Sequence, residues 1–231
     1  MSKISVIIPS YNQGEYLAEA IESVYNQIFQ PHEIIVIDDG STDGSLEIAR
    51  QYEFRQFPLI ESPVRVISQV NKGLSSARNT GIMNATGDYI FPLDADDKLT
   101  EDALQKIASA IAQTNADIIA PSFRTFGKID KEMILGLPTM EEMKTANRLG
   151  YFSAIRRTAL LEVGGYSPRM RYGYEDYHLW FDLFNRGKTI SIIQEPLVYY
   201  RVKDESMLRT AQEHHEELMA QIRKDFPNLW Q

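Results

Sequence analysis

The sequence lacks several features that define large classes of protein. It has no cysteine, which excludes disulfides and thiolate metal sites and leaves the cellular compartment open. It has no apolar run of membrane-spanning length, and the short apolar run at residues 1–9 meets turn residues too early for a signal peptide. We therefore expect a cytoplasmic protein without a transmembrane segment, either free or in peripheral contact with the inner face of the membrane.

Positive charge is also scarce. The 24 Lys and Arg residues stand against 32 Asp and Glu residues, which gives a formal net charge of −8. This balance argues against a basic stripe that could neutralise a phosphate backbone, so we expect no nucleic acid as a partner. It does not exclude a single nucleotide, because a bound metal ion supplies positive charge locally.

Two glycine-rich nucleotide motifs are missing as well. The turn at residues 9–14 lacks the Gly-x-Gly-x-x-Gly pattern of a dinucleotide-binding dehydrogenase, and no Gly-rich loop ends in Gly-Lys-Ser or Gly-Lys-Thr as in a phosphoryl-transfer ATPase. Neither class of enzyme fits this chain.

What the first half does contain is an alternation of apolar and amphipathic segments. Predicted strands lie at residues 4–8, 33–37, 64–67 and 89–93, and predicted helices lie at residues 15–27, 45–52, 74–84 and 103–113. This rhythm predicts right-handed βαβ units, and therefore an α/β fold with a Rossmann-like, mostly parallel sheet flanked by helices. The length of 231 residues fits one large domain or two small lobes that share a core, and no linker divides the chain, so we expect one compact unit.

The second half is less regular. Predicted strands lie at residues 117–120, 122–126, 152–155, 189–193 and 197–201, and predicted helices lie at residues 157–163, 177–185 and 209–224. Residues 53–63 contain two prolines and are predicted to form a loop, whereas residues 128–147 have no clean period and permit a loop, a lid or a weak helix.

Three predicted strands end in chemically useful side chains: Pro9-Ser10-Tyr11-Asn12, Asp38-Asp39-Gly40-Ser41 and Asp94-Ala95-Asp96-Asp97. In a doubly wound sheet such ends share one edge and form one crevice. Tyr11 offers a face on which a base can stack, and Asp39 can accept hydrogen bonds from a base or ribose. Taken singly, Tyr11 could equally be a turn residue and Asp39 a helix cap.

The third of these ends carries three carboxylates within four residues. Such charges repel each other and raise each other's pKa unless a cation or hydrogen-bond donors neutralise them. Mg²⁺ and Mn²⁺ prefer oxygen ligands of this kind. The alternative is a solvated acidic turn that caps the next helix.

Three further residues are candidates for chemistry. Lys72 and Arg78 lie around a helix start, where backbone N–H groups and cationic side chains favour phosphate, although either could be a surface charge. Asp176 follows Glu175 between aromatic residues, and apolar surroundings would raise its pKa toward the range of a general base. The alternative for Asp176 is a cap for the helix that follows.

Taken in order, these motifs resemble those of family 2 glycosyltransferases with the GT-A fold. The resemblance spans residues 4–206 and is carried by residues 5–12, 38–43, 71–73, 77–79, 93–97 and 175–176, with Gly164-Gly165-Tyr166 ahead of the last pair. It implies a GT-A sheet with a smaller C-terminal acceptor-side region. Residues 1–120 would bind the nucleotide sugar, and residues 121–231 would bind the acceptor and contain the catalytic base and the C-terminal helix.

The resemblance also implies an activity. Members of that family are inverting enzymes that move a sugar from a nucleoside diphosphate donor, most often a UDP-sugar, to an acceptor hydroxyl with the help of Mg²⁺ or Mn²⁺. We therefore expect a glycan or lipid-linked acceptor and a role in cell-surface polysaccharide or glycan synthesis. The alternative is a module that binds nucleotide sugar without turnover, or a subunit of a glycan assembly complex; the presence of both Glu175 and Asp176 favours catalysis.

Residue roles follow from the resemblance position by position. Asp176 is the implied base, and Asp96 and Asp97 are the implied metal ligands. The implied donor-binding residues are Pro9, Tyr11, Asn12, Asp39, Lys72, Arg78, Asp94 and Lys203.

Lys203 marks a departure from the family pattern. Many relatives carry a histidine two residues beyond the arginine of Tyr199-Tyr200-Arg201, where this chain has lysine. A lysine ammonium cannot ligate a cation, but it can pair with phosphate. We therefore expect Lys203 to contact the diphosphate or to sit on a mobile lid with Ser206.

Overall fold

A single mixed sheet organises the molecule, whose computed structural model describes residues 2–53, 64–203 and 207–230. The strands are, in chain order, β1 (Ile4–Ser10), β2 (Glu33–Asp38), β3 (Val64–Ser68), β4 (Tyr89–Pro92), β5 (Lys98–Leu99), β6 (Ile118–Gly127), β7 (Lys131–Met133), β8 (Ala154–Arg156) and β9 (Ile190–Val202). Their order in space is β3-β2-β1-β4-β8-β6-β9-β5, with β7 paired to β6 outside this path. Strands β1 to β4 run parallel, as does the β6–β9 pair, whereas β5, β7 and β8 pair antiparallel to their neighbours.

Helices cover both faces of this sheet. They are α1 (Leu17–Tyr25), α2 (Ser45–Glu53), α3 (Leu74–Asn84), α4 (Ala103–Thr114), α5 (Met140–Thr145), α6 (Arg157–Val163), α7 (Glu175–Asn185), α8 (Met207–Glu213) and α9 (His215–Asp225), followed by a short 3₁₀ helix, Pro227–Trp230. The predicted α/β class with a mostly parallel, helix-flanked sheet is confirmed.

The first strand shows why its sequence is apolar throughout. All seven residues of β1 are buried, because helices pack on both sides of it. Ile4, Val6 and Ile8 belong to the core layer beneath α1 and α4, whereas Ile7 belongs to the layer beneath α3 and α7. Alternate side chains of one strand therefore build two separate cores.

Four of the predicted strands are two longer strands, so the predicted breaks within them are wrong. The strands predicted at 117–120 and 122–126 are the one strand β6 (Ile118–Gly127), and those predicted at 189–193 and 197–201 are the one strand β9 (Ile190–Val202). The two strands pair in parallel from Ile118 with Ile190 to Gly127 with Val202, with register shifts around Ser122. A β-bulge of this kind lets a strand continue past a proline, which the sequence pattern had marked as an end.

Two other segments also differ from expectation. The predicted helix at 209–224 is divided at His214 into α8 and α9. Residues 128–147, which had no clear pattern, contain β7 and α5, and α5 begins with a capping box between Thr139 and Glu142. The loop predicted at residues 53–63 and the predicted lid residue Ser206 lie outside the described residues, apart from Glu53, which ends α2.

The predicted halves, 1–120 and 121–231, share the sheet. Strand β4 of the first pairs with β8 of the second, and β5 pairs with β9. Across residues 2–53, 64–203 and 207–230, no helix combines the length and apolar character needed to cross a membrane.

Candidate active site

A cleft of about 1020 Å³ lies at the carboxyl ends of β1, β2 and β4 and extends to the start of α7 and to α8. This is the edge at which an open α/β sheet binds its ligands. Most of the predicted site residues line the cleft, namely Pro9, Tyr11, Asp39, Arg78, Asp94, Asp96, Asp176 and Lys203. Three predicted residues, Asn12, Lys72 and Asp97, are not part of its lining.

Asp39 holds together the loop that precedes α3. Its two carboxylate oxygens accept hydrogen bonds from the side chain of Gln69 at 2.7 Å and from the backbone N–H groups of Lys72 and Gly73 at 3.0 and 2.8 Å. A carboxylate has about four lone-pair sites. Asp39 can therefore accept one further hydrogen bond from a ligand in the cleft while it fixes this loop.

Asn12 and Lys72 have structural contacts outside the cleft. The Asn12 side-chain oxygen accepts a hydrogen bond from the backbone N–H of Thr42 at 2.8 Å, and the backbone N–H of Asn12 donates to the Ser41 hydroxyl. These two bonds tie the loop after β1 to the loop after β2. The backbone N–H of Lys72 donates a hydrogen bond to Asp39, and Lys72 is exposed to solvent. Both therefore shape the loops around the cleft, and their direct contact with a donor remains a prediction.

Arg78 is the most deeply buried charge of the site, with 1% of its surface exposed. Its guanidinium donates to Asp94 Oδ1 at 2.7 Å and to Glu175 Oε1 at 2.6 Å. The rings of Tyr151 and Tyr166 lie 4.8 and 5.1 Å from its centre. Arg78 thus bridges the acid cluster and the acid pair at α7, although it also lines the cleft.

The three carboxylates after β4 occupy different surroundings. Burial raises the pKa of Asp94 to about 6, and the Arg78 guanidinium opposes this rise. Asp96 lies at the cleft surface, where its Oδ2 is 2.5 Å from the Lys203 ammonium. Asp97 is buried, and its two oxygens accept the Arg201 backbone N–H and the Tyr151 hydroxyl, each at 2.6 Å.

These contacts show which residues suit a hard cation. Asp94 and Asp96 present carboxylate oxygens to the cleft, and Mg²⁺ is commonly held by one or two carboxylates with substrate phosphates completing its shell. No group of three or more Asp, Glu, His or Cys side chains among the described residues is arranged to hold a metal ion by itself. The donor set therefore fits a cation shared with a phosphate ligand, whereas Asp97 is buried and is not part of the cleft lining.

Asp176 lines the same cleft as Asp94 and Asp96 and lies in the first turn of α7. Burial, followed by the charge of Glu175, raises the pKa of Asp176 to about 7. Its oxygens accept the Tyr177 N–H at 2.7 Å and the Asn147 side-chain amide at 2.9 Å. These bonds fix its orientation, and its pKa suits a group that takes up a proton near neutral pH.

Several cleft residues were not identified from the sequence. They are Gln13, which accepts a hydrogen bond from Lys203, Asn147, which orients Asp176, and Arg171, Arg201 and Arg209. Asn147 falls in the stretch that had no periodic pattern. The arginines lie outside the recognised motifs, apart from Arg201, whose position next to Tyr200 was the available signal.

Comparison with known proteins gives consistent matches. The sequence model of the family described as "Glycosyl transferase family 2" matches residues 5–178. The chain is 31% identical over 220 residues to the uncharacterized glycosyltransferase EpsJ of Bacillus subtilis, a match that covers 88% of this chain and 62% of EpsJ. The chain spans between 32% and 62% of the length of the first curated relatives that it matches.

Solved structures share the fold. S. aureus TarS 1–349 in complex with UDP-GlcNAc matches with a TM-score of 0.78 at 21% identity, over 98% of this chain and 67% of that one. The mannosyltransferase PcManGT from Pyrobaculum calidifontis, in complex with GDP-Man and Mn²⁺, matches with a TM-score of 0.70 at 19% identity, over 94% of this chain and 63% of that one. The fold is of the GT-A type, as the motifs had predicted.

Proposed function

Because the chain belongs to glycosyl transferase family 2, we propose that it moves a sugar from a nucleoside diphosphate donor to an acceptor hydroxyl with inversion at the anomeric carbon. One observation supports this most strongly: Asp39, Asp96 and Asp176 line one cleft, although they follow different strands and a distant loop. The product is a cell-surface polysaccharide or another glycan.

The acid–base step belongs to Asp176. Its carboxylate takes the proton of the acceptor hydroxyl as that oxygen bonds to the anomeric carbon, and the bond from this carbon to the diphosphate oxygen breaks. The pKa of about 7 means that a useful fraction of Asp176 is ionised near neutral pH. The Asn147 amide and the Tyr177 N–H keep its carboxylate in place during the transfer.

The nucleoside occupies the half of the cleft formed by β1 and β2. Tyr11 is 49% exposed and presents its ring for stacking, and Asp39 accepts one hydrogen bond from the base or ribose. A UDP-sugar is the favoured donor, since S. aureus TarS shares this fold and was solved in complex with UDP-GlcNAc.

Mg²⁺ or Mn²⁺ is the proposed cofactor, held by Asp96 and Asp94. When bound, the ion offsets the charge that builds up on the departing diphosphate. The Mn²⁺ in the complex of the similarly folded PcManGT supports this assignment. Arg78 keeps Asp94 in position for this role through their 2.7 Å ion pair.

Lys203 supplies a second positive charge to the diphosphate. It lies beside Asp96, and its ammonium also donates to Gln13 at 3.3 Å. We expect Lys203→Ala to weaken UDP binding about tenfold, since a charge-assisted hydrogen bond contributes roughly 1.5–3 kcal/mol. Titration calorimetry with UDP and Mn²⁺ measures this, with Lys98→Ala as the control, because Lys98 pairs with Glu19 outside the cleft lining. Unchanged UDP affinity in Lys203→Ala would refute the role.

A thermal-shift panel tests the donor assignment. At equal concentration, a ligand that binds more tightly raises the unfolding temperature further. Nucleoside diphosphates and their sugars, each with and without Mn²⁺, therefore show how binding depends on base, sugar and metal. Asp176→Asn then separates an enzyme from a binding module, because it should abolish transfer and retain donor binding. If no nucleotide raises the unfolding temperature, the proposed function is wrong.

A further inference from the structure

The cations that line the cleft differ in how they are neutralised. Arg78 pairs with Asp94 and Glu175, and Lys203 pairs with Asp96. The remaining cations are two more arginines with acid partners and one without: Arg201 pairs with Glu19, Arg209 lies 3.7 Å from Glu213, and Arg171 makes no ion pair or hydrogen bond within the described part of the chain. In a protein of net charge −8, Arg171 is therefore a spare positive charge inside the catalytic cleft.

Arg171 belongs to the loop that leads to the proposed base. It stands five residues before Asp176, and it lines the cleft together with Tyr172, Gly173 and Tyr174. The donor side is built from the loops after β1, β2 and β4, on other parts of the chain. The spare charge is thus on the element that carries the base, which is the side where the acceptor hydroxyl must lie.

This loop is held in place by aromatic contacts with the C-terminal helices. The Tyr172 ring stacks on His214 with 3.8 Å between centroids and 6° between planes, and it remains 40% exposed. The Tyr174 hydroxyl contacts His215 Nδ1 at 3.1 Å, and Tyr174 itself has a left-handed backbone with φ of 62°. These contacts fix the backbone of the loop, so the Arg171 side chain starts from a defined point next to a flat, partly exposed ring.

We propose that Arg171 and Tyr172 form an acceptor subsite for a glycan that carries a negative charge, either a phosphate or a carboxylate. This inference rests on the proposed function and adds the acceptor class to it. A guanidinium binds both groups through paired N–H donors, and an exposed aromatic face binds the apolar face of a sugar ring. A negatively charged protein otherwise repels an anionic chain, so a local cation is needed where that chain enters.

Matched probes that differ in charge test the subsite. We would measure binding to the full chain, with and without UDP, by saturation-transfer NMR for p-nitrophenyl β-glucoside against p-nitrophenyl β-glucuronide, and for N-acetylglucosamine against its 6-phosphate. The wild type should bind the charged member of at least one pair about tenfold or more tightly, as expected for a charge-assisted pair. A preference within the glucoside pair indicates that the acceptor carries a carboxylate, and a preference within the N-acetylglucosamine pair indicates that it carries a phosphate.

Variants then test whether Arg171 causes the preference for charged probes. Arg171→Gln should remove it without changing the affinity for the neutral probes or for UDP, Arg171→Lys should keep part of it, and Arg171→Glu should reverse it. Arg186→Gln is the control, because Arg186 is a half-exposed arginine paired with Asp182 outside the cleft lining. Tyr172→Ala should weaken the charged and neutral probes alike.

Two results overturn the proposal. One is equal binding of both members of each pair by the wild type, including the absence of binding by every probe. The other is a loss of UDP affinity in Arg171→Gln with the charge preference intact, which would assign Arg171 to the donor diphosphate. A failure of the proposed function can be distinguished from a failure of the subsite. In that case no nucleotide raises the unfolding temperature, while the binding of the charged and neutral probes still tests the role of Arg171.

Discussion

Arg78 joins two acids that lie far apart in the sequence. Asp94 follows it by 16 residues and Glu175 by 97, yet both carboxylates lie within 2.7 Å of its guanidinium. Arg78 lies in a helix next to a motif that favours phosphate, and this position predicted contact with the donor. A sequence motif shows the neighbours of a residue along the chain, but it does not show the partners that folding brings to it. The structure adds a bridging role that no local pattern could reveal.

Removing Arg78 should therefore destabilise the fold. Arg78→Met leaves two poorly solvated carboxylates without their cation, which costs roughly 3–5 kcal/mol for a buried ion pair. Without the guanidinium the pKa of Asp94 rises further above its unfolded value, so the variant should be most stable at low pH and lose stability as the pH rises through the pKa of the folded state. Urea unfolding at pH 5 and pH 8 measures both effects. A variant as stable as the wild type, but with weaker UDP binding, would show that Arg78 serves the donor alone.

Asp176 gives a second prediction at this scale, on pH. The base must be ionised to accept a proton, and its pKa is about 7, so transfer should fall below pH 7 and level off above it. Initial rates from pH 5.5 to 9 under donor saturation measure this profile. A stability control accompanies it: an acid whose pKa is raised on folding stabilises the protein when protonated, and this contribution is lost as the pH rises through about 7. Asp176→Asn should lack that loss, and a flat rate profile in the wild type would exclude Asp176 as the base.

At the scale of elements, α3 sets the position of Arg78 through close packing on the sheet. A Cβ atom added to Gly81 would lie 2.9 Å from Ile37 and 3.0 Å from Ile7, closer than side chains normally approach. Glycine at this position lets the helix lie against β1 and β2. The bounds of α3 agree with the sequence prediction at residues 74–84, although the sequence could not show why a helix interior contains glycine.

Substitution of Gly81 should push this helix away from the sheet. Gly81→Val places a branched side chain in space that Ile7 and Ile37 occupy, and overpacking of this kind costs about 1–3 kcal/mol. We expect a lower unfolding midpoint in urea and, because Arg78 moves with α3, weaker binding of UDP. Gly136→Val is the control, since no atom lies within 4 Å of a Cβ at that exposed glycine. Equal stability of the two variants would show that α3 has room to adjust.

Strand β9 shows where sequence patterns fail at this scale. Gln194, Glu195 and Pro196 interrupt its apolar run and predicted two separate strands, yet the strand continues across them because β6 pairs with it in parallel on both sides of a register shift at these residues. Tertiary pairing here overrides local preference, as is common for strands. The same pairing leads β9 to Arg201 and on to Lys203 at the cleft, so the strand predicted at residues 197–201 is the last part of a longer element that positions two of the cleft's cations.

At the scale of the whole molecule, the sheet crosses the boundary that the sequence suggested at residue 120. Strand β8 lies between β4 and β6, and β5 from the first half pairs only with β9 among the described strands. The cleft depends on the same connections, because Asp97 accepts the Arg201 N–H and Arg78 bridges to Glu175. Most residues that the motifs predicted for the site line the cleft, but these cross-connections depend on strand order, which the order of motifs does not encode.

It follows that residues 1–120 should not fold as an independent unit. A fragment cut there leaves the inner edge of β4 unpaired and leaves Arg78, Asp97 and the Asp94 N–H without their partners Glu175, Arg201 and Tyr151 from the second half. We expect it to show no cooperative thermal transition by circular dichroism and to bind a hydrophobic dye. The control is the full chain cleaved at a protease site inserted after Gly136, where the backbone is exposed and both pieces retain their strands in the sheet. That nicked chain should unfold cooperatively and still bind UDP, whereas a 1–120 fragment that did the same would establish a separate nucleotide-binding domain.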